Sequence, residues 1–441
     1  MSKENIAVIG AGPLALVTVL ELQKYTNRIT LIYPPQNCPK ESKKLCLNFK
    51  IIQKDRSTKR FAYSKFDGSL KVSQKNTNFL ETSALGGLSN LWGGVCFPQI
   101  KKESSLKYID SKEKLEIESY LVKLLNISNS KSQLWQYFTL DKSPQKIISG
   151  LPSIARNKKG TWSARNQLQQ LKGIKVVEGE VISIKKMIPK MGIEILIKNH
   201  NDIMMFDRIF VACGPIGDAK IILNSLPKRS RIEIQDSRTE YQLLLKRYKG
   251  HQYKKLMIPS KCTYFMNPNG FVRSYVQIYP LSQQLIESLP LIRINRITKK
   301  LIKFLSRFLH AAIIFYPTHQ SKPFIVEQTR KGFKSYTEKK PRIRNLTKAK
   351  ESMSNKDFNS IGYKPIYTRI KNKPGSGVHS GSFLFKNNFD YGRIPGNERD
   401  FPNLHFVGSS TLPSIPTGPI TLSALTNGIY IVRKVFKDIV K

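Results

Sequence analysis

The sequence predicts an α/β protein: a parallel-sheet domain divided along the chain, with an antiparallel-sheet lobe of α+β character inserted in it. Three observations carry this reading. A short apolar run at 5–9, "NIAVI", leads into a Gly-rich turn and an apolar helical stretch. The same order of strand, turn and helix recurs at 207–225, "DRIFVACGPIGDAKIILNS". After a basic region of alternating apolar residues it recurs at 403–435, beginning "NLHFVGSSTLPSIPTGPITL". Continuous apolar runs suit parallel strands covered on both faces, whereas alternation suits half-exposed strands.

The first unit, "IAVIGAGPLA" at 6–15, places small residues where a dinucleotide-binding turn needs them. Gly10 lets the chain turn, Gly12 lets backbone approach a pyrophosphate, and Ala15 packs helix on strand. Pro13 suits the first helical turn. A second strand, "RITLIY" at 28–33, follows at the proper distance, which completes a Rossmann-like beginning. An anion would sit at the helix N-terminus, where free N–H groups and the dipole favour it. Tyr33, followed by Pro34 and Pro35, occupies the place where an acid usually meets the ribose hydroxyls.

"ALGGLSNLWGG" at 84–94 packs four glycines around one Trp, as a loop does that lies close over a flat ring; an ordinary Gly-rich loop is the structural alternative. A Lys- and Glu-rich segment at 103–126 reads as helix, and 173–199 reads as alternating strands. From 236 to 374 the chain is basic with apolar alternation, the expected antiparallel lobe. The expected division is therefore 1–235, 236–374 as substrate domain, and 375–441 returning to the first domain. His405, on the apolar run "LHFVG", reads as a core residue.

With 441 residues, 40% of them apolar, the chain can bury a sizeable core. Five cysteines without CxxC spacing suggest neither a disulfide framework nor a metal site. A strand follows the N-terminus directly, which argues against a cleaved signal peptide, and no apolar run spans a bilayer. The expected location is cytoplasmic. The net charge of +44 comes without nucleic-acid motifs, so no specific nucleic acid is expected. It leaves room for peripheral contact with an anionic membrane or glycan, for which "LIRINRITKKLIKFLSRFL" at 291–309 is the candidate helix.

Taken in order, these stretches resemble the glucose-methanol-choline (GMC) flavoprotein oxidoreductases over most of the chain, 236–374 excepted. The resemblance implies FAD, bound non-covalently because Leu91 stands where a tethering His would precede the loop Trp. It implies hydride transfer from an alcohol carbon, a sugar or sugar derivative being the expected substrate, to flavin. It assigns cofactor contacts to Gly10, Gly12, Pro13, Ala15, Gly86, Gly87, Ser89, Asn90, Gly94, Gly214, Gly408, Ser409, Pro419, Ile420 and Thr421. His379 in "VHSGS", with one residue fewer before Gly381 than the family's stretch, is the candidate for the active-site His and would take the hydroxyl proton. Gly418 stands where the family has a second His or Asn. The electron acceptor is open between oxygen, a quinone and a protein carrier. Two other readings stay open: a flavin-binding protein without alcohol turnover, and a basic surface-binding protein on a nucleotide-binding scaffold.

Overall fold

Ile6 to Ile9 (β1) form the middle strand of a five-stranded sheet and are all buried. After β1 come α1 (Pro13–Leu22), β2 (Ile29–Tyr33), β3 (Lys175–Glu178), β4 (Arg208–Val211), α2 (Gly214–Ser225), β5 (Leu404–Phe406) and α3 (Thr421–Val440). The strand order is β5-β4-β1-β2-β3, and every pair is parallel. The computed structural model describes residues 2–35, 72–79, 81–90, 92–98, 105–128, 147–157, 160–185, 192–198, 204–226, 229–246, 259–280, 304, 308–318, 321, 323–338, 353–366, 370–371, 373–375, 380–382, 391–394 and 400–440.

Side chains alternate across the sheet. Ile6 and Val8 face a core built with Leu16 and Val19 of α1 and with Leu425, Ile429 and Val432 of α3. Ala7 and Ile9 face the other way, toward Ile216, Ile221 and Leu223 of α2 and toward Ile193 and Ile195. Both faces are thus covered, which is why β1 reads as an unbroken apolar run. Truncating one such side chain to Ala costs about 2–5 kcal/mol.

A second, antiparallel sheet runs in the order Tyr363–Pro365, Thr239–Lys246, Leu309–Phe315, Val272–Pro280, Lys261–Met266, Ile147–Gly150. One face packs Phe265, Val276 and Ile314 on Phe358 of the helix Asn355–Ser360. The other presents Cys262, Tyr264, Tyr275 and Phe315. A third sheet joins Ser380–Ser382, Arg231–Asp236, Phe324–Thr329, Gly332–Tyr336 and Val72–Gln74. These two sheets draw strands from both sides of positions 236 and 374, since 147–150 pairs with 261–266 and 72–74 with 332–336. The 103–126 segment contains the helix Ser111–Leu124, begun by Asp110, whose carboxylate accepts the N–H groups of Lys112 and Glu113. Of 173–199, the first strand joins the parallel sheet as β3, while Val181–Ile184 and Ile193–Ile197 pair antiparallel. Residues 291–303 and 305–307 lie outside the described residues, and Leu309 opens a strand. Among the described residues no helix is long and apolar enough to cross a membrane.

The joint between β4 and β5 is polar and buried. Arg208 donates to Glu4 through Nε and an Nη at 3.1 Å each, and its other Nη lies 2.9 Å from His405 Nε2. His405 Nδ1 lies 2.8 Å from the Tyr391 carbonyl, and the ring stacks on Phe210. Since Nε2 accepts from a guanidinium, Nδ1–H donates to the carbonyl and the ring is neutral. Burial, reinforced by the Arg208 charge, pushes its pKa down to about 3. The unfolded chain takes up a proton here below about pH 6.5 that the folded chain refuses until about pH 3, so stability falls as pH drops through that window. From pH 7 to 4.5 this one group removes about 2–3 kcal/mol, and His405→Asn should show a shallower loss over the same range in urea unfolding.

Candidate functional site

β1, β4 and β5 end level with one another, with Ile9 opposite Val211 and Val211 opposite Phe406. The ladder runs one residue past each strand. Gly10 N–H donates to Ile32 O (2.9 Å), Ala212 N–H to Ile9 O (2.7 Å) and Val407 N–H to Val211 O (3.0 Å). Each strand then leads to a helix that starts at the same edge of the sheet. A Gly-Pro pair stands at each start: Gly12-Pro13, Gly214-Pro215 and Gly418-Pro419. Pro has no N–H to satisfy and Gly leaves the backbone uncovered.

Between these starts lies a cavity of about 400 Å³. Its walls include Ile9 to Leu14, Cys213 to Gly217, Ser409, Ile420 and Thr421. Neither Gly12 nor Cys213 caps its helix with a side chain, and no acidic residue stands in the first turn of any of the three helices. Three helix starts therefore face one space with no acidic residue in the first turn, although at α2 the Asp218 carboxyl, just beyond that turn, accepts the Cys213 N–H.

Of the residues singled out from sequence, Gly10, Gly12, Pro13, Gly87, Ser89, Gly214, Ser409, Ile420 and Thr421 line this cavity. Ala15 is fully buried in the core between α1 and the sheet. Gly86 stands one step behind, its N–H donating to Ala11 O at 2.6 Å, which ties the Gly-rich loop to the first turn. The Ser89 hydroxyl donates to Gly86 O and accepts from Ala164 N–H. Asn90 donates to Leu85 O at 3.0 Å and accepts from the Ser163 hydroxyl. Both side chains thus hold the loop's own shape. Gly94 packs against Ala155, Gly408 against Leu14, and Pro419 directly precedes the cavity-lining Ile420. His379 and Leu91 lie outside the described residues.

Several lining groups escaped the sequence reading. Lys220 of α2 pairs with Glu81 at 2.5 Å, both nearly buried. Asp218, two residues earlier and buried behind the wall, accepts from Ser410 Oγ and from Cys213 N–H. Burial holds its pKa well above the ordinary range, against the pull of those two hydrogen bonds. Cys213 turns its exposed surface to the cavity while protein surrounds the rest of it, and that burial pushes the thiol pKa up. Trp92, the Trp of the Gly-rich loop read from sequence, also lines the cavity and donates to Trp162 O. Polar residues in the otherwise apolar "GPIGDAKIIL" were the available signal for Asp218 and Lys220.

Gly418 meets the antiparallel sheet. A Cβ there would lie 3.0 Å from the Tyr264 hydroxyl and 3.1 Å from the Tyr275 ring. Behind them Gln277 donates to Tyr275 Oη, and Tyr279 Oη donates to Gln277.

Fold and site together define a mixed α/β protein whose parallel sheet carries a cavity at the carboxyl edge of its central strands. The chain matches no protein-family model, and no curated protein matches it by sequence. Among solved structures it is similar to pyridoxine 4-oxidase from Mesorbium loti, with a TM-score of 0.58 and 11% identity over 99% of each chain. At that identity the likeness is one of fold.

The glycines separate two roles. A Cβ on Gly10 would lie 2.5 Å from Ala212 O, at φ +145°, whereas one on Gly12 meets nothing within 4 Å. Gly10→Ala should therefore lower the melting temperature by the equivalent of about 1–3 kcal/mol, while Gly12→Ala melts like the parent. Gly418→Asn, at φ +111° against two tyrosines, should cost about 2 kcal/mol or more in the same measurement.

Proposed function

We propose that this chain is an FAD-dependent oxidoreductase of GMC type that removes hydride from an alcohol carbon of a small molecule, a sugar or sugar derivative being the class first tested. The carrying observation is the convergence of three helix starts, none with an acidic residue in its first turn, on one cavity at the carboxyl edge of adjacent parallel strands. Such an edge is where open α/β sheets bind dinucleotides. The residues present fit FAD. Backbone from Gly10 to Leu14 would receive the pyrophosphate, and Leu88, Trp92, Ser409, Ile420 and Thr421 would surround the ring system. Bound FAD supplies the hydride acceptor. The α3 start would favour negative charge on the reduced ring, and His379 would take the hydroxyl proton. In this reading 1–235 and 375–441 together hold the cofactor, and 236–374 shapes the substrate site.

The absence of a side chain at Gly418 favours one competitor, a flavin-binding protein without alcohol turnover. The decisive experiment is an absorbance spectrum of the purified chain, before and after denaturation, followed by an anaerobic panel of alcohols and sugars. Equimolar FAD, released free on denaturation and bleached by an alcohol, is the expected result. FAD that no alcohol bleaches supports the competitor, and a chain that neither carries nor takes up FAD overturns both. Gly12→Ala, folded as the parent, should bind FAD at least tenfold more weakly, because its methyl enters the pyrophosphate cradle. Mass-spectrometric labelling of Cys213 should slow when FAD is bound, an independent reading of the same occupancy.

A further inference from the structure

In a dinucleotide-binding sheet an acid at the end of the second strand accepts the ribose hydroxyls. Here β2 ends in Tyr33, and Tyr33 does not line the cavity, although Ile32 and Pro34 do. The neighbouring strand supplies what β2 lacks. β3 pairs with β2 in register, Tyr33 opposite Glu178, and Gly179 N–H donates to Tyr33 O at 2.8 Å. The two strand ends are thereby clamped level. The next residue, Glu180, lines the cavity together with Gly179 and Val181. Its own carbonyl accepts Lys198 N–H at 2.9 Å, which fixes the backbone from which its side chain departs.

We propose that Glu180 is the ribose-binding acid of this protein: its carboxylate accepts the hydroxyls of the adenosine ribose, a task moved from β2 to β3. The inference rests on the FAD reading above. A carboxylate placed there selects a cofactor with a free 2′-hydroxyl and repels one carrying a 2′-phosphate. Pro34 and Val181, neighbours of the two strand ends, also line the cavity and would offer apolar surface to the adenine ring.

The test titrates the full-length apo chain, by quenching of flavin fluorescence, with FAD and with the FAD analogue that carries 2′-deoxyadenosine. The parent should bind FAD about tenfold to a hundredfold more tightly than the analogue, the worth of a hydrogen bond to a charged group. In Glu180→Gln that ratio should fall to twofold or less, with FAD itself bound more weakly, whereas Tyr33→Phe should keep the parent's ratio. Glu180→Asp retains the charge but shortens its reach, and should shrink the ratio without moving the melting temperature. A ratio unchanged in both Glu180 variants, or a parent that binds both ligands equally, overturns the assignment and leaves the FAD reading standing. A parent that binds neither ligand overturns the FAD reading, and this inference with it.

Discussion

The level ending of β1, β4 and β5 is the constraint on which the site depends. Their last residues, Ile9, Val211 and Phe406, are separated by about two hundred positions each along the chain, yet a single hydrogen-bond ladder sets them side by side. Parallel strands need a crossover between them, so a turn leaves each one at the same edge. Because the ladder continues to Gly10, Ala212 and Val407, the three turns begin at one height and the helices that follow are aimed at one space. A slip of one residue at β5 would turn Leu404 and Phe406 to the face that now holds His405 and carry the start of α3 out of that space.

Buried polar pairs hold this arrangement at the points where segments distant in sequence meet. Asp218 of α2 and Ser410 after β5, Lys220 and Glu81, and Arg208 with His405 each join two such segments. None of these is a cheap contact, because desolvating a charge consumes much of what the pairing returns. Their value lies in geometry. A buried carboxyl such as Asp218 tolerates few arrangements of its donors, and here the donors come from the α2 start and from the turn that follows Gly408. Asp236 is a counterexample within the same chain. One of its oxygens accepts Gly375 N–H, the other has no hydrogen-bond partner by distance and angle among the described residues, and burial raises its pKa to about 7 against the pull of the Gly375 and Ser237 N–H groups.

Much of this architecture was legible because parallel strands covered on both faces leave an unmistakable trace: "IAVI", "RIFV" and "LHF", each followed by small residues. Gly12 and Thr421 were legible for the same reason, being the first steps of helices that follow such runs. What stayed hidden depends on partners far away in sequence. The alternation in "GIKVVEGEVISI" announced strands but not that its first would join the parallel sheet beside β2, while the next paired elsewhere. Without that pairing Glu180 is one charged residue among many. Ser89 and Asn90 were legible as a polar pair in a Gly-rich loop. That their side chains turn inward, to Gly86, Leu85, Ser163 and Ala164, is fixed by a helix seventy residues away.

The composition of the cavity separates the protein's total charge from its means of binding. The chain as a whole carries +44. Among the described residues lining the cavity, the charged ones are Glu81, Glu180 and Lys220, so one cation stands against two carboxylates. Lys220 is moreover paired with Glu81. Lysines on the surface act at long range and are screened over about 8–10 Å at ordinary salt. Helix ends and backbone N–H groups act at contact, in a space walled by Ile9, Leu14, Ile216 and Ile420 where screening is weak. An anion would therefore be held here by oriented backbone and not by side-chain charge. The repeated Gly-Pro starts suit that arrangement: a Cβ at Gly12 or Gly214 meets no protein atom within 4 Å, so a longer side chain there would enter the cavity between an anion and the peptide groups.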